Sequence, residues 1–431
     1  MFFLMSSFLL KAFFTAFNSS LPNFLISFPL IFSFMTLIPI YDISFNLSSS
    51  FFLDEVSAPI LSMTILLLIS IEMAALTSFY SNLLFFFSVL TFSVSNILFF
   101  YIAFELNLIP IFLIILGWGY QPERIFANKM MIMYTLMGSL PLLFVIIAGP
   151  HLSYFTFFFI TQSSSPSPII LLMTFMAFLV KLPIFSLHLW LPLAHVEAPL
   201  MGSMILAGVL LKLGGYGLIR FVHMNSFFLG FFTKMMISFS VVVAALAMML
   251  CVTQVDMKVI IAYSSVGHMS MASATVFSLS STGTSSAMIN FVAHGFTSSL
   301  MFLAAGMFYL SSGTRHIILN KGMITTQPTL VKIWFLACLL NAGGPPTMNL
   351  MAEILSTMTL LNLFLLFLLP VSIALILGML FNMKLFSVAS QGNSKENLIQ
   401  LTSIPLTFFF SAAFHILSSA LLVFATPMVI F

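Results

Sequence analysis

The chain has 431 residues, of which 61% are hydrophobic and only 5% are charged, and its formal net charge is +3. A water-soluble domain needs far more charge than this to cover its surface, so the composition excludes a soluble enzyme or a soluble binding module. Because a membrane-spanning helix takes about 20 residues, the chain has room for roughly fourteen helices and for no soluble domain. We therefore predict an all-α polytopic membrane protein that forms a single membrane domain over residues 1–431.

Apolar runs, taken in chain order, place the membrane spans. In the first half of the chain they cover residues 2–17, 24–40, 57–79, 82–101, 102–118, 126–148 and 168–191. In the second half they cover residues 198–219, 230–251, 257–280, 284–310, 331–363, 364–385 and 404–426. The mixed segment at 41–54 is expected at a membrane interface, and the polar segment at 161–168 is expected to be a loop.

The lysines and arginines between the spans predict which side of the membrane each loop faces. Because loops that stay in the interior compartment are enriched in Lys and Arg, the side with more of them is expected to face that compartment. One side carries Arg220 and Lys234. The other side carries Arg124, Lys129, Lys258, Arg315, Lys321, Lys332, Lys384 and Lys395.

Proline and glycine interrupt two of the predicted spans. Pro183, Pro192 and Pro199 divide the apolar run at 177–220, and the sequence NAGGPPTMN interrupts the run at 331–363. A proline lacks a backbone donor and clashes with the preceding turn, so a helix kinks or breaks there. Because transporters use broken helices to build ion sites near the bilayer centre, we predict an ion path beside the two breaks.

The positions of the breaks also predict an internal repeat. Each break falls in the fourth helix of a five-helix group, the first over 82–219 and the second over 230–385. Two such groups begin on opposite sides of the membrane, so they are expected to superpose after a half-turn about an axis in the membrane plane. Residues 1–80 and 386–431 are then flanking helices. The alternative is that both breaks are packing kinks, which are common in membrane helices.

Ionisable residues within the spans are the candidate proton path. A charge at the bilayer centre costs about 2.5–3.5 kcal/mol, so such residues indicate function. Burial disfavours the charged form of a lysine and a nearby carboxylate favours it, so Lys181 could take up and release a proton under the control of Glu105. The alternative for this pair is a buried tie between two helices. The full set is Glu105, Lys181, Lys212, His294 and Glu353.

Other polar residues near the spans have more than one explanation. His188 and His195 lie at the first break and are expected to help line the path, whereas His294 could equally be a hydrogen-bonded polar residue between helices. Glu72 lies near the end of its span and can reach the interface, so its role stays open. Asp256 begins a span, where helix capping explains it as well as transport does. The sequence has no glycine-rich phosphate loop and no Cys or His cluster with the spacing of a metal site.

Several motifs resemble those of the chain 4 family of mitochondrial NADH–ubiquinone oxidoreductase. In chain order they are FELNLIPIFLIILGWGYQPERI, KLPIFSLHLWLPLAHVEAPLMGSMILAGVLLKLGGYGLIR, QVDMKVIIAYSSVGHMS, AHGFTSSLMF and GGPPTMNLMAEI. That family consists of antiporter-like, proton-pumping membrane subunits of respiratory complex I. It is similar to subunits of multisubunit cation/proton antiporters and of membrane-bound hydrogenases.

The resemblance implies a role for each matching residue. Glu105 and Lys181 would be the coupled pair of the first repeat, and Lys212 would be the connecting lysine. His294 would lie on a central hydrated axis, and Glu353 would be the terminal proton site of the second repeat.

The chain departs from the family pattern at two places. Leu193 stands where the family usually has a lysine in WLPKAHVEAP, so no role for a loop lysine is carried over. The segment YLSSGTRHIIL is a loose match to the family's usual YERTHSR, although Arg315 and His316 are kept.

The resemblance further implies a proton-translocating subunit of NADH:ubiquinone reductase in the mitochondrial inner membrane. Its partners would be other membrane-arm subunits, especially the two other antiporter-like chains, together with lipids. FMN, iron–sulfur clusters and ubiquinone would belong to other subunits, with no cofactor in this chain. Two rivals remain, a subunit of a sodium-carrying cation/proton antiporter and a passive membrane scaffold. Direct salt bridges between the candidate residues favour the scaffold, whereas ordered water between them favours transport.

Overall fold

A computed structural model describes residues 45–46, 52–74, 78–148, 167–184, 187–225, 230–392 and 405–425. The predicted spans at 2–17 and 24–40, and most of the predicted loop at 161–168, lie outside the described residues. Within the described ranges the protein is built from helices, apart from a short antiparallel pairing of strands β1 (Phe45–Asn46) and β2 (Phe52–Leu53). The prediction of an all-α membrane protein is confirmed.

The helices of the first half follow the predicted order. They are α1 (Ser57–Met73), α2 (Phe79–Ser93), α3 (Ile97–Leu106), α4 (Leu108–Trp118), α5 (Arg124–Ala148), α6 (Pro168–Lys181) and α7 (Trp190–Glu197). A further apolar stretch starts as α8 (Leu200–Ile205), widens into a π-helix (Leu206–Leu210) and continues as α9 (Leu211–Met224).

The helices of the second half include the longest in the described chain. They are α10 (Gly230–Thr253), α11 (Met257–Phe277), α12 (Ser281–Ser312), α13 (Met323–Thr326), α14 (Pro328–Asn341), α15 (Met348–Leu363), α16 (Leu368–Ser390) and α17 (Leu406–Leu421). Short 3₁₀ turns cover Ile317–Asn320, Leu365–Phe367 and Leu422–Ala425. Among the described residues, seven continuous helical stretches are long and apolar enough to cross a membrane, and five shorter apolar helices accompany them.

One predicted boundary between spans is wrong. The apolar runs predict that one span ends at residue 101 and the next begins at 102, but the turn lies at residues 94–96 and Tyr101 is inside α3. The Asn96 side chain accepts a hydrogen bond from the backbone N–H of Leu98 and so caps α3. Apolar runs flank this turn on both sides, but Ser93, Ser95 and the capping Asn96 are polar and were the signal for it.

Both predicted breaks are present. After α6 the backbone leaves the helix at Leu182 and becomes helical again at Trp190. In the second half α14 ends at Asn341 and α15 begins at Met348, with the GGPP sequence between them. Proline and glycine therefore interrupt both helices where the sequence predicts it.

The chain divides into two compact units, and the segment at the first break belongs to the second unit. The first unit contains residues 1–182 and 197–233, and the second contains residues 183–196 and 234–431. The proposed repeat at 82–219 treated residues 183–196 as part of the first group. The later boundary between the units falls between residues 233 and 234, whereas the second group was predicted to begin at 230, and the repeat itself stays a prediction.

Two glycines of α9 allow it to pack closely on α6 in the first unit. A methyl group at Gly214 would lie 2.9 Å from Cβ of Lys181, and one at Gly217 would overlap the ring of Phe178. Small residues let membrane helices approach closely in this way. The glycines of the LGGYG sequence therefore let α9 pack directly against the helix that carries Lys181.

A largely buried ion pair connects the segment before α1 to α9. Arg220 donates two hydrogen bonds to the carboxylate of Asp54, both at 2.5 Å, and its guanidinium lies 4.9 Å from the ring centres of Phe52 and Tyr216. Asp54 also accepts a hydrogen bond from the backbone N–H of Ser57. Burial raises the pKa of Asp54, but the charge and hydrogen bonds of Arg220, with those from Ser57, outweigh it and leave the pKa below its ordinary value.

The capping interpretation of Asp256 needs correction. Asp256 stands at the N-terminal boundary of α11, but its side chain makes no capping hydrogen bond there. Its carboxylate lies 2.8 Å from Nδ1 of His316, and the two residues also form an isolated β-bridge. Asp256 therefore joins the start of α11 to the segment after α12.

Candidate functional site

The Lys181 ammonium is held at the end of α6, in the interior of the first unit. Lys181 is 3% exposed, and its Nζ lies 3.0 Å from the backbone oxygen of Phe104 and 3.0 Å from the centre of the Phe104 ring. A desolvated ammonium over an aromatic face is attracted by the negative face of the ring. The backbone carbonyl and the ring of Phe104 thus form the immediate surroundings of the Lys181 ammonium.

Glu105 is the acidic neighbour of this lysine. It follows Phe104 on α3, and its carboxylate interacts electrostatically with Lys181. Its Oε1 is buried and accepts no hydrogen bond from any described residue. The structure therefore brings together the two residues that the sequence analysis paired, as a charge–charge interaction rather than as a hydrogen-bonded bridge.

Two further polar residues near Glu105 were missed by the sequence analysis. Ser139 on α5 lies beside the Glu105 carboxyl and also beside the hydroxyl of Tyr101 on α3. Serine is frequent in this sequence, so Ser139 had no signal of its own. Tyr101 lies four residues before Glu105, a spacing that places both on one helix face.

Lys212 lies at the junction of the π-helix and α9. It is 0% exposed, and its Nζ donates a hydrogen bond of 2.6 Å to the backbone oxygen of Ala207 within the π-helix. A π-helix shifts carbonyl groups out of the regular α-helical pattern, which makes them available to side chains, and such bulges are frequent at functional sites. The π-helix therefore supplies a polar contact for Lys212 in an otherwise apolar helix.

In the second unit, Glu353 lies on α15 against the second break. An added methyl group on Gly343 would stand 2.7 Å from Oε2 of Glu353. The hydroxyl of Thr347 caps α15, and Asn349 donates a hydrogen bond of 2.8 Å to the backbone oxygen of Leu340 at the end of α14. The end of the break is thus held by the side chains of two residues that shortly precede Glu353.

An open cavity of the second unit reaches the same carboxylate. It has a volume of about 30 Å³, and its polar side is lined by Glu353, His268, Asn290, Asn341 and Ser356. Methionines and small residues of α10, α11 and α16 form its apolar side. A cavity with this many polar groups is suited to hold water.

His294 and His268 are neighbours in the second unit. The rings of the two histidines have centres 5.8 Å apart, and Asn290 donates a hydrogen bond to the backbone oxygen of His268. His294 is 1% exposed near the middle of α12. His268 also lines the cavity at Glu353, so it connects that cavity to His294.

His188 and His195 belong to the second unit although they follow Lys181 in the sequence. The ring of His188 lies 5.9 Å from that of Tyr263, and the ring of His195 stacks on Phe302 at 4.5 Å. Val196, next to His195, accepts hydrogen bonds from Lys258 and Arg315 through its backbone oxygen. Both histidines are therefore placed by α11 and α12, and not by the helix that carries Lys181.

The candidate residues thus form a lysine–glutamate pair and a buried lysine in the first unit, and a histidine pair with a carboxylate in the second. Every one of these groups can take up and release a proton. Within the described chain, no group of three or more His, Cys, Asp and Glu side chains is arranged to hold a metal ion.

Comparison with known families gives a specific match. A family model described as "NADH:quinone oxidoreductase/Mrp antiporter, TM" matches residues 94–381. The NADH-ubiquinone oxidoreductase chain 4 of Albinaria caerulea is 43% identical over 273 residues, which cover 62% of each chain. That of Paracentrotus lividus is 38% identical over 338 residues, which cover 74% of this chain and 70% of the relative. The match thus spans about two thirds of these relatives.

Solved structures share the fold over nearly the whole chain. A chain of respiratory complex I from Thermus thermophilus with bound NADH superposes with a TM-score of 0.88 at 21% identity, covering 99% of this chain and 98% of that one. A chain of the Mrp complex from Dietzia sp. DQ12-45-1b superposes with a TM-score of 0.86 at 15% identity, covering 100% and 94%. At these identities the likeness concerns the fold.

Proposed function

We propose, from the premise that this chain belongs to the NADH:quinone oxidoreductase/Mrp antiporter family, that it is the proton-translocating chain 4 subunit of respiratory complex I. In this proposal it resides in the mitochondrial inner membrane beside the other antiporter-like subunits. It moves protons while NADH oxidation and ubiquinone reduction take place in other subunits, which hold FMN and the iron–sulfur clusters. This chain carries no cofactor and transfers no electrons.

The observation that carries the proposal is the environment of Lys181. A lysine that only ties helices together is expected in a direct salt bridge, as Arg220 is with Asp54. Lys181 instead contacts a neutral carbonyl and a ring, while Glu105 acts on it through charge and keeps a buried oxygen without a hydrogen bond. Such an ammonium can lose its proton without leaving a broken salt bridge.

The proposed cycle uses the balance between burial and charge. With Glu105 ionised and close, Lys181 is favoured in its protonated form. When the carboxylate is neutralised or withdrawn, burial favours the neutral amine and the proton leaves. Lys212 then serves as the next acceptor in the first unit, and His294 and Glu353 serve as the proton sites of the second unit.

Substitution at Lys181 tests this mechanism. Lys181→Ala and Glu105→Gln should each lower proton pumping at least tenfold in an assembled complex, and coupled quinone reduction should fall with it. Lys181→Arg should not restore pumping, because a guanidinium stays protonated at any relevant pH. The measurement is proton uptake per electron in reconstituted vesicles, with assembly checked on native gels.

The scaffold hypothesis makes the opposite prediction for the same variants. Arg would keep the positive charge beside Glu105 and preserve function, whereas Ala would impair assembly. The matched control is Lys234→Arg, the same change of lysine on α10. Normal pumping by an assembled Lys181→Arg complex would defeat the proton-carrier assignment.

The sodium antiporter remains the rival from the transporter class, because the Mrp complex chain shares this fold. Proton pumping that depends on sodium concentration, with sodium moving in the opposite direction, would favour it. Pumping that is unchanged when sodium is replaced by choline supports the complex I assignment.

A further inference from the structure

The backbone of the second break passes directly against the carboxylate of Glu353. Gly343 has a φ of +69°, in the left-handed region. A methyl group built on its Cα would lie 2.7 Å from Oε2, 3.2 Å from Cδ and 3.3 Å from Oε1 of Glu353. All three of these nearest atoms belong to a single carboxyl group.

We propose that Gly343 is a positioning residue for Glu353, and that its missing side chain forms the seat in which the carboxylate rests. The inference rests on the proposed function, in which Glu353 is a proton site. It assigns Gly343 a role beyond breaking the helix. The turn would need glycine only for its φ, whereas the seat needs glycine because the carboxylate occupies the place of a side chain.

The surroundings of Gly343 determine whether the backbone or the Glu353 carboxyl group moves when a methyl group is added at residue 343. The backbone at the break is fixed by hydrogen bonds from Gly343 N–H to Leu340 O and from Gly344 N–H to Leu339 O, at 3.3 and 2.9 Å. Asn349 donates to the same Leu340 oxygen at 2.8 Å. The carboxyl group is the far end of a flexible side chain, and it borders the open cavity. A methyl group at residue 343 therefore moves the carboxylate toward the cavity and leaves the backbone in place.

The same unit supplies a matched control at Gly313. This residue ends α12 with the same φ of +69°, but a methyl group built on it meets no atom within 4 Å. Alanine at either position carries a similar backbone penalty for the left-handed region. Only alanine at residue 343 displaces the carboxylate, so the difference between the two variants isolates the seat.

The experiment measures the initial rate of proton pumping by assembled complex I in reconstituted vesicles. Gly343→Ala should lower the rate at least fivefold, whereas Gly313→Ala should change it less than twofold. Glu353→Asp should lower the rate in the wild-type background. In the Gly343→Ala background it should raise the rate at least twofold, because the shorter side chain withdraws the carboxyl group from the added methyl.

The outcomes separate this inference from the proposed function. Normal pumping by Glu353→Gln would remove Glu353 from the proton path, and the proposal for Gly343 would fall with it. If Glu353→Gln blocks pumping but Gly343→Ala behaves like Gly313→Ala, only the seat is refuted. If Gly343→Ala fails to assemble, the same rescue is scored on native gels. Restored assembly with Glu353→Asp supports the seat, and no restoration overturns it.

Discussion

The ion pair between Asp54 and Arg220 gives the sharpest stability prediction, because it is nearly buried and directly hydrogen-bonded. The side chains are 16% and 11% exposed, and two hydrogen bonds of 2.5 Å join them. Removing one partner leaves the other charge in a site that it cannot leave without breaking its ring contacts. Asp54→Ala is the test change, because it removes the carboxylate and adds no new group.

The expected loss is large for a single substitution. Breaking a buried ion pair from one side costs roughly 3–5 kcal/mol, since the remaining charge stays uncompensated. For a chain of this size, that corresponds to a fall of the melting midpoint on the order of 3–6 °C. Replacing both partners with apolar side chains is far less harmful, because no charge is then buried alone. The double variant Asp54→Ala, Arg220→Met should therefore be more stable than the single variant Asp54→Ala.

The assay is the temperature at which half of the complex is lost on native gels after brief heating. A double-mutant cycle over Asp54→Ala, Arg220→Met and the pair of changes gives the coupling between the two residues. Ser57→Ala is the control, because it removes the hydroxyl that accepts a hydrogen bond from the backbone N–H of Asp54 and leaves the charges in place. Additive losses, with the double variant the least stable of all, would refute the buried-pair reasoning.

The pH dependence of this contribution follows from the lowered pKa of Asp54. A carboxyl group whose folded-state pKa lies below its unfolded value adds stability above the unfolded pKa and loses it as the pH falls through the folded one. The ordinary pKa of an aspartate side chain such as that of Asp54 is 3.8. The gap in melting midpoint between wild type and Asp54→Ala should therefore be constant from about pH 6 to 8, and it should close only below roughly pH 4. A gap that closes near neutral pH would contradict the assignment.

The packing of α9, the cavity at Glu353 and the loop charges each allow a further test. Gly217→Ala should reduce assembly, because overpacking against α6 costs about 1–3 kcal/mol. Adding Phe178→Leu should restore assembly on native gels. A double variant that assembles no better than Gly217→Ala would contradict this explanation. Gly378 lines the cavity and has open space beside its Cα. Gly378→Leu should therefore fill the cavity and slow pumping at least threefold without affecting assembly. Gly378→Ala is the control, and it should pump at the wild-type rate. Cysteines in place of Arg124 and Arg315 should react with an impermeant label from the same side of the membrane, and labelling from opposite sides would overturn the predicted topology.

Some features of this protein could be predicted from the sequence because their causes are local. Low charge and long apolar runs indicate membrane helices wherever they fold, and proline and glycine interrupt a helix through their own backbone chemistry. Both breaks are found where these residues occur. Ionisable residues are so rare in the spans that Glu105 and Lys181 stood out although they are far apart in the sequence.

The predicted span boundary was wrong where only a short polar segment separates two apolar runs. The turn at residues 94–96 is such a segment, and the predicted boundary fell several residues after it although Ser93, Ser95 and the capping residue Asn96 marked the true one. The neighbours of the candidate residues, in contrast, carried no distinctive signal. Ser139 beside Glu105 is one serine among many, and His268 beside His294 has no nearby partner in the sequence.

The sequence by itself determined the class of protein, the breaks and the set of ionisable residues, since each depends on composition or on the backbone chemistry of a few neighbouring residues. Only the tertiary structure decided which of these groups meet. It assigned residues 183–196 to the second unit, placed Lys181 over the ring of Phe104, and put the carboxylate of Glu353 where Gly343 has no side chain. These contacts join separate helices or the two sides of a break, and their packing depends on the shapes of side chains that hydropathy does not distinguish.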